Sequence, residues 1–208
     1  MEENNTMISR AAIKANAKAQ LGNNLFGNTW LMALVVGLVY GVIIGAAGMT
    51  YAGIIILVGP MGIGLASVFL SLARGDGEVR LERMFTDGFS QQFGRNLLLG
   101  LLRGLFTALW SMLFVVPGIV KHYAYSMSFY IAADHPEYTW NQCMDASKRM
   151  TAGHKGELFV LDLSFIGWFF VGALCLGVGS LWVTPYYNAS WANYYDALRT
   201  LDEGATVQ

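Results

Sequence analysis

Between Lys18 and Arg74 the chain has no aspartate, glutamate, lysine or arginine, an uncharged run over positions 19–73, or 55 residues. One helix needs about 20 apolar residues to cross the hydrocarbon core of a bilayer. The run therefore predicts two spans, 28–48 and 51–73, joined by a short turn at Met49 and Thr50. A second uncharged region, 163–195, belongs to two more, 158–179 and 181–198, and the middle of the chain supplies 96–116 and a shorter, more polar 119–133. Composition agrees with this reading. Only 13% of the 208 residues are charged, against about 25% in a soluble domain, so the chain cannot cover itself with polar groups. The expected fold is an all-α membrane protein of six transmembrane helices, arranged as three helical hairpins with cytoplasmic amphipathic connecting helices.

Basic residues set the expected orientation. Arg10, Lys14 and Lys18 precede the first span; Arg74, Arg80, Arg83 and Arg95 lie between the second and third; Lys148, Arg149 and Lys155 lie between the fourth and fifth; Arg199 follows the sixth. Eleven of the 13 basic residues thus share one side, leaving Arg103 and Lys121. This predicts a multi-pass protein of the bacterial cell membrane with both termini cytoplasmic. The opposite turns are too short to form an external domain. The first 27 residues lack an apolar core with a small-residue cleavage site, so no removable signal peptide is expected. A net charge of −1 excludes nucleic acid as a partner, since phosphate binding needs a clustered positive excess. The two cysteines, Cys143 and Cys175, make no disulfide framework and are expected to stay reduced.

The chain forms one membrane domain, 1–208, that reads as three pseudo-repeats, roughly 7–75, 80–136 and 139–200. Each has an amphipathic segment, an outgoing span and a returning span that begins near a proline: Pro60, Pro117 or Pro185. In the first segment Arg10, Lys14 and Lys18 make a basic stripe, with Ile13, Ala17 and Leu21 on another face. The second places Leu81, Phe85, Phe89 and Phe93 in an apolar row, and the third runs from Trp140 to Met150. Basic amphipathic helices of this kind lie in the headgroup plane. Arg74 and Arg199 each follow their repeat's proline by 14 residues, and Asp134 follows Pro117 by 17.

Small residues at four-residue spacing let helices approach closely. Gly37, Gly41 and Gly45 on span one and Gly100 and Gly104 on span three predict such packing faces, within the chain or between chains. Arg103 and Asp162 stand inside apolar stretches, eight residues past Arg95 and seven past Lys155. At about 1.5 Å rise per residue both reach a depth on the order of 11–12 Å. They are expected to meet as an intramembrane ion pair, because a lone membrane charge is costly. The rival arrangement has Arg103 reaching for headgroups and Asp162 protonated or hydrogen-bonded.

Span four crowds Lys121, His122, Tyr123, Tyr125, Ser126 and Tyr130 together, and span six answers with Tyr186, Tyr187, Asn188 and Asn193. Such polar density faces a bundle interior or a cavity rather than lipid. These ten residues are the expected ligand-binding set, with interfacial tyrosines and helix-to-helix hydrogen bonds as the alternative. No catalytic constellation is expected. His122, His135 and His154 are scattered, so no metal site is implied. Ser111, Ser126 and Ser164 lack motif-spaced partners, Cys143 reads as structural, and no cofactor is called for.

Three stretches, LWSMLFVVPGIVKHYAYSMSFYIAADHPE (109–137), ASKRMTAGHKGELFVLDLSFIGW (146–168) and LGVGSLWVTPYYNASWANYYDAL (176–198), resemble a bacterial integral-membrane family known as a domain of unknown function, number 975. P-G-I-x-K-x-Y-x-Y-S-M from Pro117 and L-x-L-S-F-I-G-W from Leu161 are its specific parts. The first half joins through G-P-x-G-x-G-L from Gly59 and the turn at Ala73, Arg74 and Gly75. Where the family reads D-N-P this chain has Asp134, His135 and Pro136, so no role rests on His135. The resemblance implies a multi-span membrane protein and brings no activity. The leading functional expectation is a non-enzymatic module that binds or moves a small amphiphile, lipid or peptide through spans four and six. Membrane lipids are its expected partners. The alternative is a structural or immunity-type protein that packs against a membrane-protein partner or forms a homo-oligomer.

Overall fold

Ser9 turns its hydroxyl onto the Ala12 amide to start the first helix, α1 (Arg10–Leu21), as serine at an N-cap does by occupying an otherwise unpaired donor. In this computed structural model the residues described are 8–22, 24–76, 78–90, 92–113, 115–174 and 178–206. After α1 come α2 (Asn28–Ala47), α3 (Tyr51–Ala73), α4 (Leu81–Gly88), α5 (Phe93–Leu113), α6 (Val115–Ala124), α7 (Ser128–Asp134), α8 (Trp140–Met150), α9 (Lys155–Leu174) and α10 (Val178–Thr206), with no strand among the described residues. Three helices, α2, the Ala52–Ala73 part of α3, and α9, are long and apolar enough to cross a membrane. Cys175 lies outside the described residues.

The stretch expected as one span over 119–133 is two short helices, α6 and α7, separated by a turn at Tyr125, Ser126 and Met127. Ser126 and Ser128 bond back to the carbonyls of Tyr123 and Tyr125, each at 2.8 Å, and so compete with the helical ladder. The backbone groups freed by the break find a partner on α8. Ser147 Oγ donates to the Ala124 carbonyl at 2.8 Å and accepts the Met127 amide at 3.2 Å. Non-helical backbone is tolerated in an apolar bundle only where protein satisfies it in this way. The third amphipathic segment is therefore a packed element rather than a connector resting on a surface: Cys143, Met144, Ala146, Ser147 and Met150 are all buried.

The other two segments also pack inward. Ile13, Ala17 and Leu21 of α1 are buried, as the stripe predicts, and Lys14 places its ammonium 4.1 Å from the centre of the Phe165 ring. On α4 the buried face is Met84 and Gly88, while Phe85 and Phe89 of the expected apolar row point outward. Asp87 accepts a hydrogen bond from Ser67 of α3, which fixes that orientation.

More than half of the apolar stretch of α3 is buried, whereas α2 and α9 turn most of theirs outward. The glycines of the Gly59 motif make α3 approachable from three sides. A Cβ on Gly59 would lie 3.0 Å from the Asn96 carbonyl carbon and 3.1 Å from Gly100 Cα on α5. One on Gly62 would meet the Phe129 ring of α7 at 2.6 Å, and one on Gly64 would strike the Met84 backbone of α4. Pro60 and Pro185 are interior, the tenth residue of α3 and the eighth of α10, rather than at the starts of returning helices. Only Pro117 stands in a first helical turn, where its missing N–H is not needed.

The expected glycine seams divide. Gly100 packs on Gly59, and a Cβ on Gly37 would lie 3.4 Å from the Thr184 methyl group. A Cβ on Gly41, Gly45 or Gly104 would meet nothing within 4 Å among the described residues. Spacing of four places residues on one helix face, but only the crossing angle of the neighbour decides which of them it reaches.

Candidate functional site

Arg103, on α5, and Asp162, on α9, are not paired: no ion pair joins them within 4 Å among the described residues. The helices satisfy each charge separately. Asp162 accepts three hydrogen bonds, from Tyr123 Oη at 2.8 Å, Tyr187 Oη at 2.9 Å and Trp191 Nε1 at 3.1 Å. One carboxyl group thus ties α6 and α10 to α9. With Asp162 saturated by neutral donors, Arg103 lies over the face of Phe129, its guanidinium carbon 4.3 Å from the ring centre. It makes no hydrogen bond among the described residues, although a guanidinium carries five N–H donors.

Arg103 lines a cavity of about 230 Å³ where α2, α3, α5, α6, α7 and α10 converge. His122, Ser126 and Tyr130 enter it from the broken span, and Tyr187 and Asn188 from α10. Half of the ten expected ligand residues therefore share one space. Tyr40, Phe129 and Trp191 complete its polar and aromatic wall. A second cavity, of about 360 Å³, shares Arg103, His122 and Phe129 with the first. Its remaining lining is small or apolar and includes Val58, Gly104, Thr107 and Ala108. Gly104 thus floors a groove rather than a helix crossing.

The other five expected residues serve elsewhere. Lys121 sits over Trp110, 4.8 Å from the ring centre, and Tyr123 is committed to Asp162. Tyr125 is buried between Phe106 and the Lys148 ammonium. Tyr186 packs edge-on to Phe165. Asn193 exchanges amide hydrogen bonds with Gln20 of α1, at 2.6 and 3.2 Å.

At one end of the bundle the residues that follow the three prolines meet. Gly75, at φ 81°, donates to the Leu72 carbonyl while Asp76 donates to that of Ser71, a Schellman stop that leaves Arg74 at the helix end. Arg74 grips Asp134 with two N–H groups, the longer contact 2.8 Å, and reaches Asp196 at 3.0 Å. Arg199 lies 3.2 Å from Asp134, and Tyr195 Oη donates to it at 3.0 Å. Burial alone would push the Asp134 carboxyl up, but the Arg74 and Tyr195 hydrogen bonds and the charges of Arg74 and Arg199 hold it below its ordinary 3.8. A carboxyl depressed by folding contributes stability above its unfolded pKa and loses it as pH falls through the folded value. Asp134→Asn is accordingly expected to lower the melting temperature at pH 7, with the gap to the wild type closing below about pH 4. A gap of constant size from pH 7 to pH 3 would show that the ionised carboxylate is not what holds the junction.

Two further residues escaped sequence reasoning. Arg95 spends its guanidinium on the carbonyls of Ala132, His135, Pro136 and Tyr138 at 2.8–3.2 Å, closing the C-terminus of α7. Ser147 closes the break before α7. A basic residue at a span edge and a serine on an amphipathic helix carry no signal that foretells a carbonyl partner about 40 or 20 positions away. Cys143 is fully buried, and burial pushes its thiol up to about 11, which keeps it protonated.

Residues 112–202 match the family described as "Protein of unknown function (DUF975)", which bears out the resemblance drawn from the second half of the sequence. No curated protein and no solved structure matches the chain. The matched stretch holds Asp162 with its three donors and most of the cavity wall; Tyr40 and Arg103 lie before it.

Proposed function

We propose that this chain is a six-span membrane protein, built as three hairpins with cytoplasmic termini, that binds an anionic amphiphile at Arg103. The observation that carries the reading is a cation without an acceptor among the described residues, on the wall between a polar cavity and an apolar groove. An amphiphile needs both. Its acidic head would take the guanidinium N–H groups beside His122, Tyr130 and Asn188, and its chain would lie along Gly104 and Ala108. Outward-facing leucine, isoleucine, valine and phenylalanine on α2 and α9 support a lipid surrounding. A second reading, a partner protein held by helix packing, is favoured by Gly41 and Gly45, which none of the described residues covers.

Native mass spectrometry of the delipidated protein with added phosphatidylglycerol tests the first reading. The wild type is expected to retain one lipid per chain at this site. Arg103→Gln should bind it about tenfold or more weakly, as loss of charge-assisted hydrogen bonds implies. Its melting temperature without lipid should change little, because among the described residues Arg103 has only its contact with the Phe129 ring to lose. Equal binding by wild type and variant overturns the assignment.

A further inference from the structure

A second crevice, of about 490 Å³, opens between α9, α10 and the joint of α1 with α2, away from Arg103. Trp168, Val171, Trp182 and Val183 form its walls, and no acidic residue lines it. Its lining includes Gly172 and Gly179, where α9 and α10 touch: a Cβ on Gly179 would come within 2.7 Å of Gly172 Cα. Two donors here lack acceptors. Lys18, at the rim, makes no ion pair or hydrogen bond among the described residues. Trp30, 4% exposed, also lines the crevice, while its indole N–H is turned away from the accessible surface and has no partner among the described residues. The N–H of Trp182, in contrast, is taken by the Leu25 carbonyl at 3.1 Å.

Apolar aromatic walls and, at the rim, an ammonium with no acceptor among the described residues call for a ligand that is apolar along its length and anionic at one end. We propose that this crevice is a specific site for one anionic glycerophospholipid. Its phosphate lies at Lys18, and an acyl chain runs between Trp168 and Trp182, over the buried ring of Trp30. A zwitterionic lipid offers the same chain and esters but brings its own cation to Lys18, so anionic lipids are preferred. The site shares no residue with the Arg103 cavity and stands or falls separately from it.

Tryptophan quenching by phospholipids brominated on the acyl chain tests the proposal on the full-length protein in detergent. Bulk lipid quenches outward-facing tryptophans, such as Trp168, whatever its head group. Trp30 is shielded and is quenched only by a chain inside the crevice. The Trp30 signal, taken as the difference between wild type and Trp30→Phe, is expected to be quenched saturably by brominated phosphatidylglycerol. Brominated phosphatidylcholine should require a concentration about fivefold higher. Lys18→Gln should abolish that preference, and Arg103→Gln should leave it unchanged. Should Trp30→Phe not fold, wild type against Lys18→Gln gives the same comparison on total emission. Absence of saturable quenching beyond the bulk effect overturns the site, and equal quenching by both lipids overturns its preference for anionic heads.

Discussion

Asp162→Ala is expected to lower the melting temperature of the purified protein by roughly 6–12 °C. Three donors converge on this carboxyl group, and Tyr123 and Trp191, which supply two of them, are buried. Alanine leaves all three without their acceptor, and Tyr123 and Trp191 are buried. Each buried donor left unmade costs about 1–3 kcal/mol, so the loss is about 3 kcal/mol or more even with some relaxation. For a chain of this size 1 kcal/mol corresponds to roughly 2–4 °C. Asp162→Asn keeps one acceptor oxygen and should cost about a third as much. A melting curve for Asp162→Ala within 2 °C of the wild type would mean that α6, α9 and α10 are held by packing alone and that the convergence on Asp162 is incidental. The direction is informative too. Had Asp162 been the partner of Arg103, its removal would strand a cation; here it strands neutral donors.

Gly100→Val and Gly104→Ala are expected to move stability in opposite directions, although the two glycines stand on one helix four residues apart. A Cβ on Gly100 would come within 2.6 Å of the Gly59 backbone nitrogen, and neither backbone can yield without displacing its helix. The cost is about 3 kcal/mol, the upper end of the range for overpacking. A Cβ on Gly104 meets nothing within 4 Å among the described residues, so alanine there gains up to about 1 kcal/mol through restricted backbone freedom. Size-exclusion chromatography after graded heating reads both. If both variants lose stability alike, α5 packs through its whole glycine face as the spacing suggests, and the groove at Gly104 is closed.

These contrasts mark how far the sequence could be read. The apolar helices at 28–47, 52–73 and 155–174 were legible because a long uncharged run has one inexpensive solvent. The inward stripe of α1 was legible because helical periodicity is local. The break between α6 and α7 was only half legible. The polar crowding over 119–133 was plain, but that the helix stops at Tyr125 depends on Ser147, 20 positions from the Met127 amide it accepts. The ion pair of Arg103 with Asp162 was inferred from equal depth. Depth fixes one coordinate of a side chain and leaves its azimuth about the helix axis free. On α9 that azimuth faces α10 and its tyrosines, and on α5 it faces Phe129 of α7.

The sequence by itself determined the long apolar helices and the few charges that require a reason. Those properties follow from composition summed over some 20 residues, and no neighbour can alter them. It also marked Arg74, Asp134 and Arg199 at comparable distances from three prolines, but it could not say that they meet. Tertiary structure alone decided which donor finds which acceptor, because a hydrogen bond needs about 3 Å and the right direction, and two helices can share a depth yet face apart. That choice left Asp162 satisfied and Arg103 open, and it put the open charge where a cavity and a groove adjoin.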